Sequence, residues 1–450
     1  MKQKKYWQSF GELQHSESYQ DGVQDEFGED LPSAEPQSSF LEEKAPRRDF
    51  LKYLGFSTAA AAAAASCEMP IKKSIPYINK PDTIIPGVAN YYATTYVQDG
   101  DAIPVVAKVR DGRPIKIEGN DLSSVTKGGT SAKVQASVLG LYDTARLRFP
   151  LANGKEVSTF DAFDKMVAQS LAGAGSKPFV LLTETITSIT SKNIIAAFIA
   201  KYPGSRHIQY DAISASGILN ANAASFGKRA IPSYQFDKAT TIVSLGADFL
   251  GTWLSPVEYA RQYAVGRKID QKKIEMSRHI VFESMLSLTG ANADDRYNHL
   301  PSEEGAVAIA LYAALGGSVA APALKDERLN KGIKAAAESL KKSGSSSLVV
   351  SGSNNADVQL VVNAINQLLG AYGNTIDWST TLNTRQGDDA AMVQLVQEMN
   401  EGKIGAVMIH GVNPAYDYFE AKKFESGLKK VVSISFNDRL DETTTLCNYV

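Results

Sequence analysis

Residues 241–248 are TIVSLGAD, a short apolar run that ends in a glycine and a small polar turn. A strand that is apolar without alternation is buried on both faces, which is typical of parallel sheets covered by helices. Apolar runs of the same kind recur along the chain, at 179–182, 279–282, 348–350, 406–409 and 431–434. These runs predict an α/β fold.

Most of the stretches between these runs have a helical pattern of apolar residues, at 193–202, 304–315, 356–369 and 390–399. Buried strands that alternate with amphipathic helices predict doubly wound, Rossmann-like parallel sheets. We therefore expect one or two such domains within residues 151–450.

A different pattern precedes them. Residues 87–150 begin with alternating segments at 91–98, 103–110 and 114–118, and Asp111-Gly112 between the last two is typical of a tight hairpin turn. We expect a small β-rich region at 87–150, followed by the α/β region at 151–450.

Two of the apolar runs end in turns that could bind a ligand. Gly246 and Asp248 follow the run at 241–245, and Gly411 and Asn413 follow the run at 406–409. In open α/β sheets ligands bind at the carboxyl ends of the strands, where glycine lets backbone N–H groups approach a phosphate. Neither turn is a complete phosphate-binding motif, so the alternative is that both are plain strand-to-helix turns.

Composition excludes several classes of function. The net charge is −2 with no basic stripe, so nucleic acid is not expected as a partner. The only cysteines are Cys67 and Cys447, and the five histidines have no metal-ligand spacing. No apolar run reaches the length of about 20 residues that is needed to span a bilayer. We therefore predict no catalytic constellation and no metal site.

The first 86 residues indicate export. Residues 1–46 are a polar extension, after which Arg47, Arg48, Phe50, Leu51 and Lys52 precede a mildly hydrophobic stretch rich in alanine. Paired arginines before such a stretch are typical of a twin-arginine signal, here at residues 47–67. The alternative is a charged cap before an alanine-rich helix of a cytosolic protein.

The signal ends in Ala64-Ala65-Ser66-Cys67, the pattern of a lipobox. We expect Cys67 to be acylated, with simple cleavage at the alanines as the alternative. Residues 68–86, which contain four prolines, then form an extended tether. The predicted location is the periplasmic face of the cytoplasmic membrane, with the lipid as the anchor.

Several segments in a fixed order resemble the molybdopterin oxidoreductase superfamily. The hairpin VRDGRPIKIEGN at 109–120 is similar to the family's N-terminal hairpin, and four later stretches follow in the family's order: 128–150, 237–248, 411–415 with 431–438, and 442–444. The resemblance covers residues 88–450. It implies a molybdopterin-oxidoreductase-like fold with the pterin beside Gly246, Asp248, Gly411 and Asn413.

Departures from the family pattern bear on the cofactors. Residues 87–137 contain no cysteine, although the family binds a [4Fe-4S] cluster there. None of Ser214, Ser216 and Ser225 can be assigned as a molybdenum ligand. The resemblance therefore implies a scaffold without molybdopterin, and we expect no cofactor within residues 1–450.

A chain that combines an export signal with missing cofactor ligands resembles one group in particular, the iron–sulfur/molybdopterin-like subunits of bacterial alternative complex III. The resemblance implies electron transfer by [4Fe-4S] and [3Fe-4S] clusters in a half downstream of residue 450, and Cys447 as a buried cysteine. It implies membrane-integral quinol-oxidising subunits and haem c subunits as partners. This segment itself is then not catalytic.

Two alternatives stay open. The first is an active molybdenum reductase of the polysulfide or tetrathionate type, which needs a metal ligand. The second is a periplasmic lipoprotein that binds a small solute, which does not explain the matches at 109–120 and 142–150.

Overall fold

The computed structural model divides the chain into two units, residues 1–80 and 81–450. It describes residues 84–85, 87–98, 100–269 and 274–450. The predicted polar extension, the export signal, Cys67 and most of the tether lie outside the described residues and stay predictions. No helix within the described part is long and apolar enough to cross a membrane.

The second unit starts with an antiparallel sheet of three strands, β1 (Ala89–Gln98), β2 (Asp101–Arg110) and β3 (Arg113–Gly119), in the order β1-β2-β3. Asp111 and Gly112 both have positive φ, 50° and 76°, as a two-residue hairpin turn requires. One face packs on helix α1 (Ala132–Gly140) through Ile103, Val105, Ile117 and Val134. The predicted strands and turn are confirmed.

A parallel sheet of four strands occupies the middle of the chain and is called the central sheet. Its order is β11-β10-β9-β12, and all neighbours are parallel. The strands are β9 (Thr241–Leu245), β10 (Arg278–Glu283), β11 (Asp295–Asn298) and β12 (Ser347–Ser351). Ile242 and Val243 belong to different apolar clusters, so both faces are buried, as predicted.

A second parallel sheet, called the outer sheet, has the order β15-β14-β6-β7. Its strands are β6 (Phe179–Thr183), β7 (Arg206–Gln209), β14 (Ala406–His410) and β15 (Val432–Ser435). Two strands thus precede the central sheet in sequence and two follow it. In sequence, the segment that forms the central sheet is therefore inserted between the two halves of the outer sheet.

Helices cover both sheets. They are α2 (Phe160–Gly173), α3 (Ile189–Lys201), α4 (Ser216–Phe226), α5 (Pro256–Arg267), α6 (Leu288–Ala291), α7 (Glu304–Leu315), α8 (Glu327–Ser343), α9 (Ala356–Leu369), α10 (Asp389–Asn400), α11 (Pro414–Asp417) and α12 (Ala421–Leu428). Helix α3 begins four residues before the predicted start because the Ser188 side chain accepts a hydrogen bond from Ser191 N and caps it.

Two antiparallel pairs complete the fold: β4 (Leu151–Ala152) with β5 (Lys155–Glu156), and β8 (Ile231–Tyr234) with β13 (Ile376–Leu382). The sequence patterns did not predict strands β4, β5, β7, β8, β11 and β13, which are short or polar. The chain is a mixed α/β protein with parallel sheets and a small antiparallel N-terminal region, as predicted. The predicted division at residue 150 stays a prediction.

Candidate functional site

Each parallel sheet has a topological switch point, where the chain leaves neighbouring strands in opposite directions. In the central sheet it lies between β9 and β12, and in the outer sheet between β6 and β14. Gly246 follows β9 and Gly411 follows β14, so the predicted glycines stand at the two switch points. Ligands of open α/β sheets bind in crevices at such points.

The crevice of the central sheet is almost closed. A Cβ added to Gly352, which follows β12, would lie 2.3 Å from the carbonyl oxygen of Gly246. Gly352 N also donates to the carbonyl of Leu245, at 3.0 Å. Backbone therefore packs on backbone across the switch point, and the adjacent cavity is only about 110 Å³.

Asp248 holds this closed turn together. Its carboxylate accepts a hydrogen bond from Thr289 N at 2.9 Å, and its carbonyl accepts from Thr252 N and Trp253 N, both at 2.8 Å. A Cβ on Gly251 would lie 2.1 Å from the Asp248 carboxylate. Gly246 and Asp248 therefore belong to a strand-to-helix turn that hydrogen bonds within the protein hold in place.

The outer sheet has an open crevice instead, a cleft of about 950 Å³ that Gly411 and Asn413 line. The side chain of Glu184, which follows β6, lies over Gly411, so an added Cβ there would lie 2.7 Å from Glu184 Oε1. Gly411 N donates to Asn437 Oδ1 at 2.9 Å. A carboxylate therefore lies beside the turn, and the N–H of its glycine already has an acceptor.

Asn413 is bonded within the protein as well. Its Oδ1 accepts hydrogen bonds from Thr443 N at 3.0 Å and Thr443 Oγ1 at 2.7 Å. Its Nδ2 donates to Glu442 at 2.6 Å. The side chain thus ties the turn after β14 to the segment 442–444.

Acidic groups dominate the lining of the cleft. Six carboxylates and three cationic side chains face it: Asp101, Glu184, Asp211, Asp417, Asp438 and Asp441, with Lys133, Arg385 and Arg439. Each cation is paired with a carboxylate. Lys133 and Arg385 both contact Asp101, at 3.1 and 3.3 Å, and Arg439 contacts Asp143 and Asp438, both at 2.9 Å.

Arg385 lines both the cleft and the small cavity. Its side chain is 6% exposed and packs against Gly100, where an added Cβ would lie 2.8 Å from a guanidinium nitrogen. Its φ of 59° lies in the left-handed region, which is strained for an arginine. Its Nε is buried with no hydrogen-bond partner in the structure.

Asp417 and Tyr210 form a half-buried polar pair on the cleft wall. Tyr210 Oη donates to Asp417 Oδ1 at 2.9 Å. Burial raises the pKa of the Asp417 carboxyl although this hydrogen bond opposes the shift. Burial and the neighbouring Asp417 carboxylate raise the pKa of Tyr210. Burial thus disfavours the charged form of both groups.

Histidines and cysteines form no metal site within the described residues. His279 is buried, His207 Nε2 contacts Thr183 Oγ1 at 2.8 Å, and only His410 faces the cleft. Cys447 is buried, as predicted, and burial raises the pKa of its thiol to about 12.

Of the three serines considered as metal ligands, Ser214 and Ser225 have hydrogen-bond partners for their hydroxyl groups within the protein. Ser214 Oγ donates to Asp389 Oδ2 at 2.9 Å and accepts from Ser216 N at 3.0 Å. Ser225 Oγ accepts a hydrogen bond from Asn363 at 3.2 Å. Of the three, Ser214 lines the small cavity.

Three residues that shape the cleft were not predicted from the sequence. Glu184 follows a predicted strand directly, so the rule that placed Gly246 and Gly411 could also have found it. Asp101 and Arg385 had no such signal. They meet across 284 positions of sequence, in a contact that only tertiary packing creates.

Comparisons with known proteins support part of the resemblance. No family model matches the chain. The chain is 24% identical to the menaquinone reductase, molybdopterin-binding-like subunit, of Nitratidesulfovibrio vulgaris, in a match that covers 90% of this chain and 64% of that protein. The likeness supports a molybdopterin-oxidoreductase-like subunit, while alternative complex III is not confirmed.

The chain therefore spans a little less than two thirds of the length of this relative. Among solved structures, the formyltransferase/hydrolase complex of Methylorubrum extorquens with methylofuran matches with a TM-score of 0.45. Sequence identity in that match is 12%, over 67% of this chain and 85% of the other.

Proposed function

We propose that the chain is the scaffold part of a respiratory quinone or quinol oxidoreductase complex, in which iron–sulfur clusters outside residues 1–450 carry the electrons. Alternative complex III is the specific assembly we infer. The observation that carries the proposal is the acidic, internally paired lining of the cleft at the switch point of the outer sheet.

Molybdopterin does not fit this lining. The cofactor carries phosphate, which needs free N–H groups or unpaired cations beside a glycine turn. Here Gly411 N donates to Asn437, Glu184 lies over the glycine, and Lys133, Arg385 and Arg439 each contact a carboxylate. A bound phosphate would face repulsion from the cleft without a compensating charge.

The small antiparallel region supports the same conclusion. A [4Fe-4S] cluster is held by cysteine thiolates, and residues 87–137 contain none. The three-stranded sheet and helix α1 nevertheless have a small core of their own. The region keeps a structural role without the means to hold the family's cluster.

Exposed apolar side chains favour a subunit of a larger assembly. In the antiparallel region Tyr91, Tyr92, Leu122 and Leu139 are each at least half exposed. Only five apolar residues there are buried: Ile103, Val105, Ala107, Ile117 and Val134. Such an imbalance is typical of a surface that other chains cover. The expected partners are membrane-integral quinol-oxidising subunits and haem c subunits.

Cofactor analysis tests the scaffold role. The full chain is purified from membranes of the bacterium that makes it. Molybdenum is measured by mass spectrometry and pterin by the fluorescence of its acid-oxidation product, with a known molybdenum enzyme treated in parallel. We expect neither molybdenum nor pterin above the background. Tightly bound pterin and molybdenum in stoichiometric amounts would refute the scaffold role and favour an active molybdenum reductase.

Association is tested separately. A tagged chain extracted in mild detergent should bring down haem c, seen in the reduced absorption spectrum, and integral membrane subunits identified by mass spectrometry. A tagged periplasmic lipoprotein of unrelated function is the control. Isolation as a single polypeptide without haem would contradict the assembly and favour a solute-binding lipoprotein.

The proposed location follows from the export signal and Cys67, and a third experiment addresses it. Mass spectrometry of the mature N-terminal peptide should find diacylglycerol on Cys67. Cys67→Ser should release the chain into the periplasmic fraction, and the double change R47K/R48K should keep it in the cytoplasm. An unmodified Cys67 in the membrane-bound chain would rule out the lipid anchor.

A further inference from the structure

Strand β1 forms one edge of the three-stranded antiparallel sheet. Within the described residues it pairs with β2 alone, over all ten positions from Ala89 to Gln98. Its sequence, ANYYATTYVQ, contains no charged residue and no proline. An edge strand exposes a row of unpaired N–H and C=O groups, so an uncharged edge of this length is a ready template for another strand.

The opposite edge of the same sheet is protected. Strand β3 carries Pro114, which has no N–H to donate, and the charged residues Lys116 and Glu118, which form an ion pair at 3.0 Å. Proline and charge are the devices by which proteins block strand addition. Because β3 carries these protecting residues and β1 does not, β1 is the edge of this sheet that is suited to pair with another strand.

Both faces of β1 carry accessible side chains. Tyr92, Thr94 and Tyr96 lie on the face of the sheet that packs on α1, because they pair with Ala107, Val105 and Ile103 of that core. Tyr91 and Val97 lie on the opposite face. Tyr91, Tyr92 and Val97 are 56%, 52% and 47% exposed. A further strand would therefore gain side-chain contacts on both faces as well as backbone hydrogen bonds.

We propose that β1 pairs with the β1 strand of a second copy of this chain, antiparallel and centred on Thr94. This pairing assigns the exposed Tyr91 and Tyr92 of β1 to a second copy and leaves Leu122 and Leu139 of the antiparallel region to the other subunits proposed above. The pairing would join two three-stranded sheets into one sheet of six strands across a twofold axis. An interface of this type is isologous, since the same strand serves on both sides.

The register follows from self-complementarity. With Thr94 opposite Thr94, Tyr92 faces Tyr96 and Tyr91 faces Val97, which are aromatic and aromatic–β-branched pairs. Ala93 then faces Thr95, so small side chains are matched too. A register centred on Ala93 would place both Tyr91 and Tyr92 opposite threonines and lose the aromatic pair. The sequence therefore favours one symmetric register.

Disulfide trapping tests that register in the full chain. Directly opposed residues of antiparallel strands have Cα atoms about 4.5–5.5 Å apart, within reach of a disulfide. In a Cys67→Ser background, Thr94→Cys should give a covalent dimer on mild oxidation at low protein concentration. Ile115→Cys, on the protected edge and also exposed, is the matched control and should stay monomeric.

Sedimentation measures the uncrosslinked association. Thr94→Lys should weaken self-association at least about tenfold, which corresponds to about 1.4 kcal/mol, while Ile115→Lys leaves it unchanged. Circular dichroism confirms that both variants fold. A wild-type chain that stays monomeric, equal crosslinking of the two cysteine variants, or crosslinking of residue 94 to a different subunit would each overturn the proposal.

Discussion

The two switch points have the same topology, but the crevice of the central sheet is closed and that of the outer sheet is open. In the central sheet the turns after β9 and β12 meet backbone to backbone at Gly246 and Gly352, and the adjacent cavity is about 110 Å³. In the outer sheet the Glu184 side chain after β6 lies over Gly411 after β14, and these turns border a cleft of about 950 Å³. A switch point therefore provides a place for a ligand, but the neighbouring residues decide whether one can enter.

The two crevices also differ in what occupies them. Backbone closes the first crevice, whereas the second is open and its charged groups are engaged with one another. Four predictions address this difference, from the largest expected effect to the smallest.

The largest effect concerns the buried interior of the central sheet. Burial lowers the pKa of His279 from 6.5 to about 4, and Tyr263 Oη lies 3.1 Å from its Nδ1. Because the folded pKa is depressed, the contribution to stability is present above pH 6.5 and is lost as the pH falls to about 4. This loss amounts to about 3 kcal/mol. Urea unfolding at several pH values measures it.

Other groups titrate in the same window, so the comparison is between wild type and His279→Phe. The variant should lose about 3 kcal/mol less between pH 7 and pH 4 than the wild type does. If both proteins lose the same free energy of unfolding over this range, His279 does not stay neutral in the folded protein between these pH values.

The next effect breaks the closed crevice. Gly352→Ala would place a methyl group against the Gly246 carbonyl, and we expect it to lower the free energy of unfolding by about 2 kcal/mol. Gly173→Ala is the matched control. Gly173 ends helix α2 with nothing within 4 Å of an added Cβ, so this change should be neutral or slightly stabilising. Equal stabilities for the two variants would show that the turns do not meet as described.

A smaller effect is expected in the open crevice. Asn413→Ala removes the acceptor for Thr443 N and Oγ1 and should cost about 1 kcal/mol, measured by urea unfolding. Asn413→Asp keeps the acceptor but places a second carboxylate beside Glu442, so it should recover only part of the loss. If the alanine variant is as stable as the wild type, the hydrogen bonds between Asn413 and segment 442–444 contribute nothing to the free energy of unfolding.

The smallest effect concerns charge beside Gly411. Glu184→Lys should change stability by less than about 0.5 kcal/mol but should let pyrophosphate raise the melting temperature, which it should not do for the wild type. Glu338→Lys makes the same change of net charge on an exposed face of α8 and is the control. An equal pyrophosphate effect in the wild type would contradict the view that Glu184 keeps anions out.

Local pattern predicted much of the fold. The runs at 241–245 and 406–409 became β9 and β14, and the helix predicted at 356–369 is α9 with the same bounds. Strands β11 and β13 were missed because DRYN and IDWSTTL carry polar side chains at positions that are exposed or only partly buried. Their pairing depends on neighbours that are distant in sequence.

By itself, then, the sequence determined the α/β class, the antiparallel start, the glycine turns at the strand ends, and the absence of cysteines from residues 87–137. These follow from side-chain periodicity, turn chemistry and composition, which are local. Only the tertiary structure decided that the central sheet is inserted into the outer one, that one crevice is closed, and that Arg385 meets Asp101. These features arise from contacts between segments far apart in the chain, whose geometry no local pattern encodes.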